Sequence, residues 1–207
     1  MTVLDRLAAP FSARARLRVG LDLVERGKGA KGFHYLARAA VRGCTEAQYR
    51  VARCYLDGKA VPQSGTEAMR WLERAARRGH CQAQFVLAAL YAQGLGGDLD
   101  TSSAVAPLFP RPEASEPNYE AALNWGRLAA EGGNAEAQAL LGYVLTSGPT
   151  MLRDPEEAEN WYRRSARAGC PQGSLGLGLA LLRTARDEAG QREAAGEIGR
   201  ASCRERV

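Results

Sequence analysis

The small and hydrophobic residues of this chain recur at helical spacing and form amphipathic stripes. Residues 66–79 read TEAMRWLERAARRG, and their apolar stripe consists of Ala68, Trp71, Leu72, Ala75 and Ala76. Residues 82–94 read QAQFVLAALYAQG, and their stripe consists of Ala83, Val86, Leu87, Leu90 and Tyr91. Apolar positions at this spacing predict amphipathic helices, and glycine favours the position just past a helix end. The pattern therefore predicts two helices that end at Gly79 and Gly94 and pack as an antiparallel pair.

The sequence pattern of this helix pair occurs four times along the chain. The glycine after the paired small residues of the first helix recurs in steps of 36, 54 and 36 residues, at Gly43, Gly79, Gly133 and Gly169. Three further columns keep these steps: Tyr35, Trp71, Trp125 and Trp161; Ala47, Ala83, Ala137 and Gly173; Ala52, Ala88, Gly142 and Gly178. The longer step is one period plus an insertion. Since one helix pair cannot bury both of its apolar faces, the repeat predicts stacked pairs in a solenoid.

Helix starts follow the same register. Ser64, Asn118 and Asp154 share one column, and each is a favourable N-cap residue. Ser64 with Glu67 fits a capping box, and Pro155 fits the first helical position. These signals predict that the first helix of a pair begins just after each of these polar residues.

The column of aromatic residues has two interpretations. Trp71, Trp125 and Trp161 lie within the apolar stripes of successive first helices, which favours core filling. A ligand-stacking cage built from the same three indoles is the alternative. If Trp71 is buried, replacing it with alanine is expected to cost about 3–5 kcal/mol.

These motifs resemble the Sel1-like repeat, a relative of the tetratricopeptide repeat. The resemblance is carried by Ala68, Trp71, Leu72, Ala75, Ala76 and Gly79 in the first helix, and by Ala83, Gln84, Leu87, Ala88, Tyr91 and Gly94 in the second. The linker at residues 58–63 is similar to the turn between such repeats. Residues 31–184 are covered by about four units, although Thr184 replaces the fourth closing glycine and Gly126 replaces the leucine of the third unit. Residues 13–27 resemble the second helix of a partial leading unit, with Gly20 in the Ala/Gly column.

The resemblance implies an all-α fold, a right-handed α-solenoid of antiparallel helix pairs similar to the tetratricopeptide superhelix. It also implies a non-catalytic scaffold or adaptor that binds another protein on a concave face, in a bacterial cytoplasm. Some members of the family are described as hydrolases of β-lactams, and hydrolysis is therefore the alternative function. No motif of this chain carries that activity, so we expect no enzyme and no cofactor.

The repeat register divides the chain into three parts. Residues 1–30 are predicted to hold amino-terminal helices and the partial leading repeat, and residues 31–196 the solenoid. A proline-rich insertion at about residues 95–117 interrupts the solenoid, and prolines forbid a regular helix there. It is either a tolerated surface loop or a segment that packs or docks through Val105, Leu108 and Phe109. Residues 197–207, EIGRASCRERV, read like a translated sequencing adapter, so we expect a non-native tail and a natural protein that continues beyond about residue 196.

Composition and charge limit the possible partners and the cellular compartment. The net charge is +5, and residues 1–50 hold ten Lys/Arg against four Asp/Glu. A basic end suits an acidic partner or nucleic acid, but no nucleic-acid-binding module accompanies it, so nucleic acid is the weaker alternative. No apolar run approaches the ~20 residues of a membrane span. The five cysteines follow no metal-ligand or paired spacing, which favours a reducing, cytoplasmic compartment.

A candidate partner-binding strip lies on successive first helices, one turn apart. Its residues are His34, Arg38, Arg70, Arg74, Arg77, Asn124, Asn160, Arg164 and Arg167. Arginine binds carboxylates and phosphates through a bidentate fork, so the strip is predicted to hold an acidic peptide or an acidic protein face. The competing interpretation is a hydrated surface that keeps the solenoid soluble.

Histidines give little support to catalysis. His34 and His80 have no cysteine or aspartate at a motif spacing. His80 shares the turn column of Cys44, Asn134 and Cys170, so helix capping or simple exposure explains it.

Overall fold

A computed structural model describes residues 12–94, 116–184 and 188–204. Within these ranges the backbone is helical with short turns and contains no strand. The all-α prediction is confirmed. Most of the predicted insertion, residues 95–115, lies outside the described residues.

The described residues form ten α-helices. They are α1 (Ala13–Glu25), α2 (Gly29–Val41), α3 (Thr45–Asp57), α4 (Gly65–Ala76), α5 (Cys81–Ala92), α6 (Tyr119–Glu131), α7 (Ala135–Ser147), α8 (Pro155–Arg167), α9 (Pro171–Thr184) and α10 (Glu188–Arg204). A 3₁₀ turn at Thr150–Leu152 precedes α8. Two compact units contain them, which we call the first unit (residues 12–87) and the second unit (residues 88–94, 116–184 and 188–204).

Glycine ends the predicted helices where a left-handed backbone is required. α4 stops at Ala76, and Gly79 follows with φ of +80°, while Gly94, after α5, has φ of +76°. A side chain strains this conformation, so glycine stabilises both turns. The predicted pair at residues 66–79 and 82–94 is therefore confirmed, with Gly79 three residues and Gly94 two residues after the last residue of its helix.

The predicted N-caps are present. Ser64 Oγ accepts from the Glu67 N–H at 3.3 Å, and Asn118 Oδ1 accepts from the Ala121 N–H at 2.9 Å. Asp154 Oδ1 accepts from the N–H groups of residues 156 and 157, at 3.1 and 2.9 Å. The capping box at Ser64 is only half formed. Its backbone N–H donates to the Tyr55 carbonyl, and the Glu67 carboxylate pairs with Arg70 instead.

Small residues let neighbouring helices approach closely. In the second unit, a Cβ added to Gly142 of α7 would lie 2.7 Å from the Tyr162 ring of α8. In the first unit, a Cβ added to Gly20 would lie 2.8 Å from Leu36 Cγ. Gly20 thus has the contact expected of the Ala/Gly column. Alanines at the other predicted column, Ala47, Ala83 and Ala137, are fully buried.

A repeated glutamine joins the two helices of a pair. Gln48, Gln84 and Gln138 donate from Nε2 to the carbonyls of Ala40, Ala76 and Ala130, at 3.0, 3.0 and 3.1 Å. These carbonyls lie in the last turn of each first helix, where intrahelical donors run out. All three glutamines are buried, so the bonds form away from solvent. The glutamine of the family pattern therefore has a structural role.

The aromatic column fills space between pairs, as predicted. Trp161 is 9% exposed, and Tyr35, Trp71 and Trp125 are half-buried. Trp71 packs against a buried cluster of the preceding pair that includes Leu36 and Val51. Core filling therefore explains these indoles, although the outer face of two of them carries an arginine, as described below.

The last helix continues the repeat register. Ala194 of α10 is fully buried, like Ala68, Ala122 and Ala158 at equivalent positions of α4, α6 and α8. A Cβ added to Gly178 would lie 2.6 Å from Ile198 Cγ1, which reproduces the contact between Gly142 and Tyr162. Residues 197–204 extend α10, and their non-native origin stays a prediction, as do the domain boundaries.

The close fit between Gly142 and Tyr162 predicts how substitutions at these two positions change the free energy of unfolding. Gly142→Ala should lower the free energy of unfolding by about 1–3 kcal/mol, because the new methyl group overlaps the Tyr162 ring. Adding Tyr162→Leu should recover most of this loss, since the equivalent positions Ala52 and Leu72 pair alanine with leucine in a fully buried site. Urea unfolding of the two single variants and the double variant measures the coupling. Gly65→Ala, at a glycine with no neighbour within 4 Å, is the control. Strictly additive effects would contradict the contact.

Candidate partner-binding site

All nine predicted strip residues are exposed. His34 and Arg38 project from α2, Arg70 and Arg74 from α4, and Arg77 follows α4, all in the first unit. The second unit contributes Asn124 on α6, with Asn160, Arg164 and Arg167 on α8. Exposure at every position is what the outward register of first helices predicts.

Two of the predicted arginines are neutralised by their own helix. Arg70 Nη1 lies 2.7 Å from Glu67 Oε1, and Arg77 Nη2 lies 3.0 Å from Glu73 Oε2. Spacings of three and four residues bring such side chains together on a helix surface. The sequence already contained this signal, and the prediction did not use it.

Two other arginines stack on the tryptophan one turn before them. The Arg74 guanidinium lies 4.8 Å from the centre of the Trp71 ring, and Arg164 lies 4.6 Å from that of Trp161. The ring face attracts the cation and favours this position of the guanidinium. Stacking leaves the N–H edge of the guanidinium available for a carboxylate or phosphate.

The other four arginines of the strip form no ion pair with a carboxylate. Across residues 12–94, 116–184 and 188–204, no ion pair involves Arg38, Arg74, Arg164 or Arg167. By contrast, Arg127 pairs with Glu157 at 3.0 Å, and Arg50 pairs with Glu46 at 2.6 Å. These four strip arginines therefore keep a positive charge that no carboxylate of the described residues balances.

A groove in the first unit gathers three arginines. It has a volume of about 390 Å³ and is lined by Ala40, Val41, Gln48, Arg74, Arg77 and Arg78. Arg78 was not predicted. Its Nη1 donates to the Gly43 carbonyl at 2.8 Å, and a Cβ on Gly43 would lie 2.5 Å from that nitrogen. The only signal in the sequence was an arginine 35 residues after a turn glycine. These two residues come into contact only when the helix pairs stack.

His80 has a structural role. Its Nδ1 accepts from the Ala83 N–H at 3.1 Å, and its ring stacks on Tyr49 with centroids 4.9 Å apart. With Nδ1 accepting, Nε2 carries the proton and donates to Glu46 Oε2 at 2.9 Å. His80 thus caps α5 and joins it to α3, and the capping interpretation is confirmed.

Glu46 is held in its charged form by this cluster. Burial acts to raise the pKa of Glu46, but hydrogen bonds from His80 and Arg50, together with the charge of Arg50, outweigh it and lower the pKa. Hydrogen bonds to a carboxylate favour the ionised form.

Other chemistry is sparse in the parts of the chain that the structure describes. No group of three or more His, Cys, Asp or Glu residues there is arranged to hold a metal ion. Cys44, Cys54, Cys81 and Cys170 are free thiols. None of the described helices is long and apolar enough to cross a membrane.

Comparison with known families decides what the repeat is. The Sel1 repeat matches this chain five times, at residues 14–44, 45–80, 81–106, 113–134 and 135–170. The chain belongs to the Sel1 repeat family. The first match covers α1 and α2, so the family model joins the leading helix to the first helix of the next predicted pair, and the partial leading unit stays a prediction.

Solved structures and a curated relative agree with this family. The Sel1-like repeat protein c5321, a protective antigen of uropathogenic Escherichia coli, superposes with a TM-score of 0.80 at 24% identity over 95% of this chain and 39% of that chain. A Sel1 repeat protein from Oxalobacter formigenes gives 0.76 at 23% identity over 93% and 71% of the two chains. These likenesses establish the α-solenoid fold class. DAP3-binding cell death enhancer 1 of Rattus norvegicus is 38% identical over 161 residues, which are 78% of this chain and 28% of that protein. The chain spans less than a third of that relative.

Replacing His80 tests the cap. His80→Ala should reduce the free energy of unfolding by about 1 kcal/mol, because the Ala83 N–H loses its acceptor. His80→Asn should lose less, since Asn134 caps α7 of this Sel1 repeat protein at 2.8 Å from the equivalent position. Urea denaturation at neutral pH measures both variants. Equal losses would show that the ring stacking, and not the cap, stabilises the turn.

The lowered pKa of Glu46 predicts a dependence of stability on pH. A carboxyl group with a lower pKa in the folded state stabilises the protein above its unfolded pKa, and this contribution is lost as the pH falls through the folded value. Between about pH 5 and pH 3, the wild type should therefore lose more stability than Glu46→Gln. Urea midpoints across this interval measure the difference. Parallel curves for the two proteins would contradict the shift.

Proposed function

We propose that this Sel1 repeat protein is a non-catalytic scaffold that binds another protein through the exposed outer positions of its first helices. The partner presents acidic side chains to the strip defined above. The observation that carries this proposal is the set of exposed arginines without a carboxylate partner at strip positions of both units, two of which, Arg74 and Arg164, stack on an indole.

The stacked arginines suit recognition better than a merely hydrated surface. An arginine that only makes the surface soluble needs no contact with another side chain. Arg74 and Arg164, in different units, both lie over an indole ring. A guanidinium already held against a ring loses less entropy when it binds a carboxylate. The repeated geometry therefore supports a role in binding.

The family and its relatives support the broader part of the proposal. Sel1 repeats are generally protein-interaction scaffolds. One relative is named for binding DAP3, and that name describes the relative alone. We carry over the general role, binding of a protein partner, and propose a reducing, cytoplasmic setting because the described cysteines are free and scattered.

Charge reversal tests the strip. Arg74→Glu combined with Arg164→Glu should reduce the amount of partner protein recovered in affinity capture by about tenfold or more, since each reversal adds repulsion to a lost hydrogen-bonded pair. Capture from a lysate, quantified by mass spectrometry, compares the wild type with the variant.

A matched control changes the net charge equally. Lys59→Glu combined with Arg183→Glu alters two exposed cations outside the first helices and should leave capture unchanged. If both double variants lose the same proteins, the strip has no specific role and only net charge matters.

A further inference from the structure

We infer that the groove at the ends of α2 and α4, which we call the arginine groove, binds one acidic side chain of a partner peptide together with an adjacent apolar side chain. This inference rests on the proposed function and assigns it a site and a ligand chemistry. Arg74 and Arg78 hold the carboxylate, and Val41 with Ala40 contacts the apolar neighbour.

The groove has the size and charge for this ligand. Its volume of about 390 Å³ falls within the ~300–1,000 Å³ of typical ligand pockets. Three of its six lining residues are arginines and none is acidic. Glu73 matches the charge of Arg77, but Arg78 bonds to a neutral carbonyl and Arg74 to a neutral ring. Two uncompensated positive charges therefore converge on the groove, and a carboxylate relieves their repulsion.

Both carboxylate-binding arginines are held in place before a ligand arrives. The Trp71 ring supports Arg74, and the Gly43 carbonyl accepts from Arg78. Gly43, with φ of +86°, has no side chain to block this approach. Preorganised side chains lose less entropy on binding. This arrangement is expected of a recognition site and is not required for solubility.

The apolar part of the ligand follows from Val41. This valine at the end of α2 is 75% exposed, and the equivalent positions of the other first helices hold Arg77, Glu131 and Arg167. The repeat pattern therefore does not require an apolar residue at the position of Val41. Beside Ala40 it provides an apolar contact at the edge of the cationic groove, which favours an acidic residue next to an apolar one.

Helix-end electrostatics do not explain the groove. Cations at a helix C-terminus interact favourably with the helix dipole, which accounts for Arg77 and Arg78 after α4. The same effect favours Arg74 in the last turn of α4. It does not account for the stacking of Arg74 on Trp71 or for the bond from Arg78 to the Gly43 carbonyl. The position of Arg78 is occupied in the other pairs by Arg42, Gly132 and Ala168. The second unit therefore has Arg164 on its indole but no counterpart of Arg78.

The unpaired oxygen of Gln48 adds nothing to the argument. Gln48 Oε1 is buried without a hydrogen-bond partner among the described residues, but Gln138 Oε1 in the second unit has the same status. The feature belongs to the repeated glutamine and not to the groove.

Peptide binding to the intact chain tests the inference. The probes are three fluorescein-labelled 12-residue peptides of alternating Glu-Leu, Gln-Leu and Glu-Ser, measured by fluorescence anisotropy and by NMR titration of labelled protein. Glu-Leu should bind most tightly and shift the Val41 methyl and Trp71 indole signals. Arg78→Gln should weaken this binding about tenfold or more, while Arg183→Gln should leave it unchanged. Val41→Ser should reduce the preference for Glu-Leu over Glu-Ser without removing Arg78.

The outcomes separate this inference from the proposed function. Binding of Glu-Leu that shifts only Trp161 and is unaffected by Arg78→Gln would overturn the groove while leaving an acidic-partner scaffold. No binding by either glutamate peptide would overturn both. Tighter binding of a 12-nucleotide single-stranded DNA at Val41 and Trp71 would overturn the peptide assignment, because the groove would then select phosphate. Circular dichroism of each variant shows that the fold is retained.

Discussion

The stacked helix pairs depend on contact between a small residue of one helix and a large side chain of the next. Gly142 against the Tyr162 ring shows the constraint, since even one methyl group would lie 2.7 Å from ring carbons. Close-packed interiors have no room for an added atom unless the partner becomes smaller. The columns of alanine and glycine are therefore a packing requirement that recurs with the repeat, and the partner side chain varies with them.

This packing leaves the surface of the first helices free to diversify. Buried glutamines satisfy the carbonyls at the ends of the first helices, and capping residues satisfy donors at helix starts. The outward positions of the first helices are not needed for these hydrogen bonds, so Arg74 and Arg164 can stack on the outer faces of Trp71 and Trp161. The indoles thus connect fold and function: one side fills space between pairs, and the other orients an arginine toward solvent.

Periodic features were predictable from sequence, and contacts across one period were not. Helix positions, the glycine turns and the N-cap at Asp154 follow from local patterns that need no distant contact, and Gly20 was found from its column in the repeat. Arg78 was missed because its contact, Gly43, lies 35 residues away. The strip was predicted from the positions of its residues alone. Arg70 pairs with Glu67 and Arg77 pairs with Glu73, which the i,i+3 and i,i+4 spacings already indicated. The double role of His80 depends on Glu46, 34 residues earlier.

The most direct test of this packing is a nuclear Overhauser measurement on the intact chain. One Hα of Gly142 occupies the direction in which a Cβ would point, so it lies against the Tyr162 ring. We expect strong cross-peaks from this proton to the Tyr162 ring protons and an upfield shift caused by the ring current. A Gly142 Hα at an ordinary helical chemical shift, without cross-peaks to Tyr162, would contradict the close approach from which the rest of the account is built.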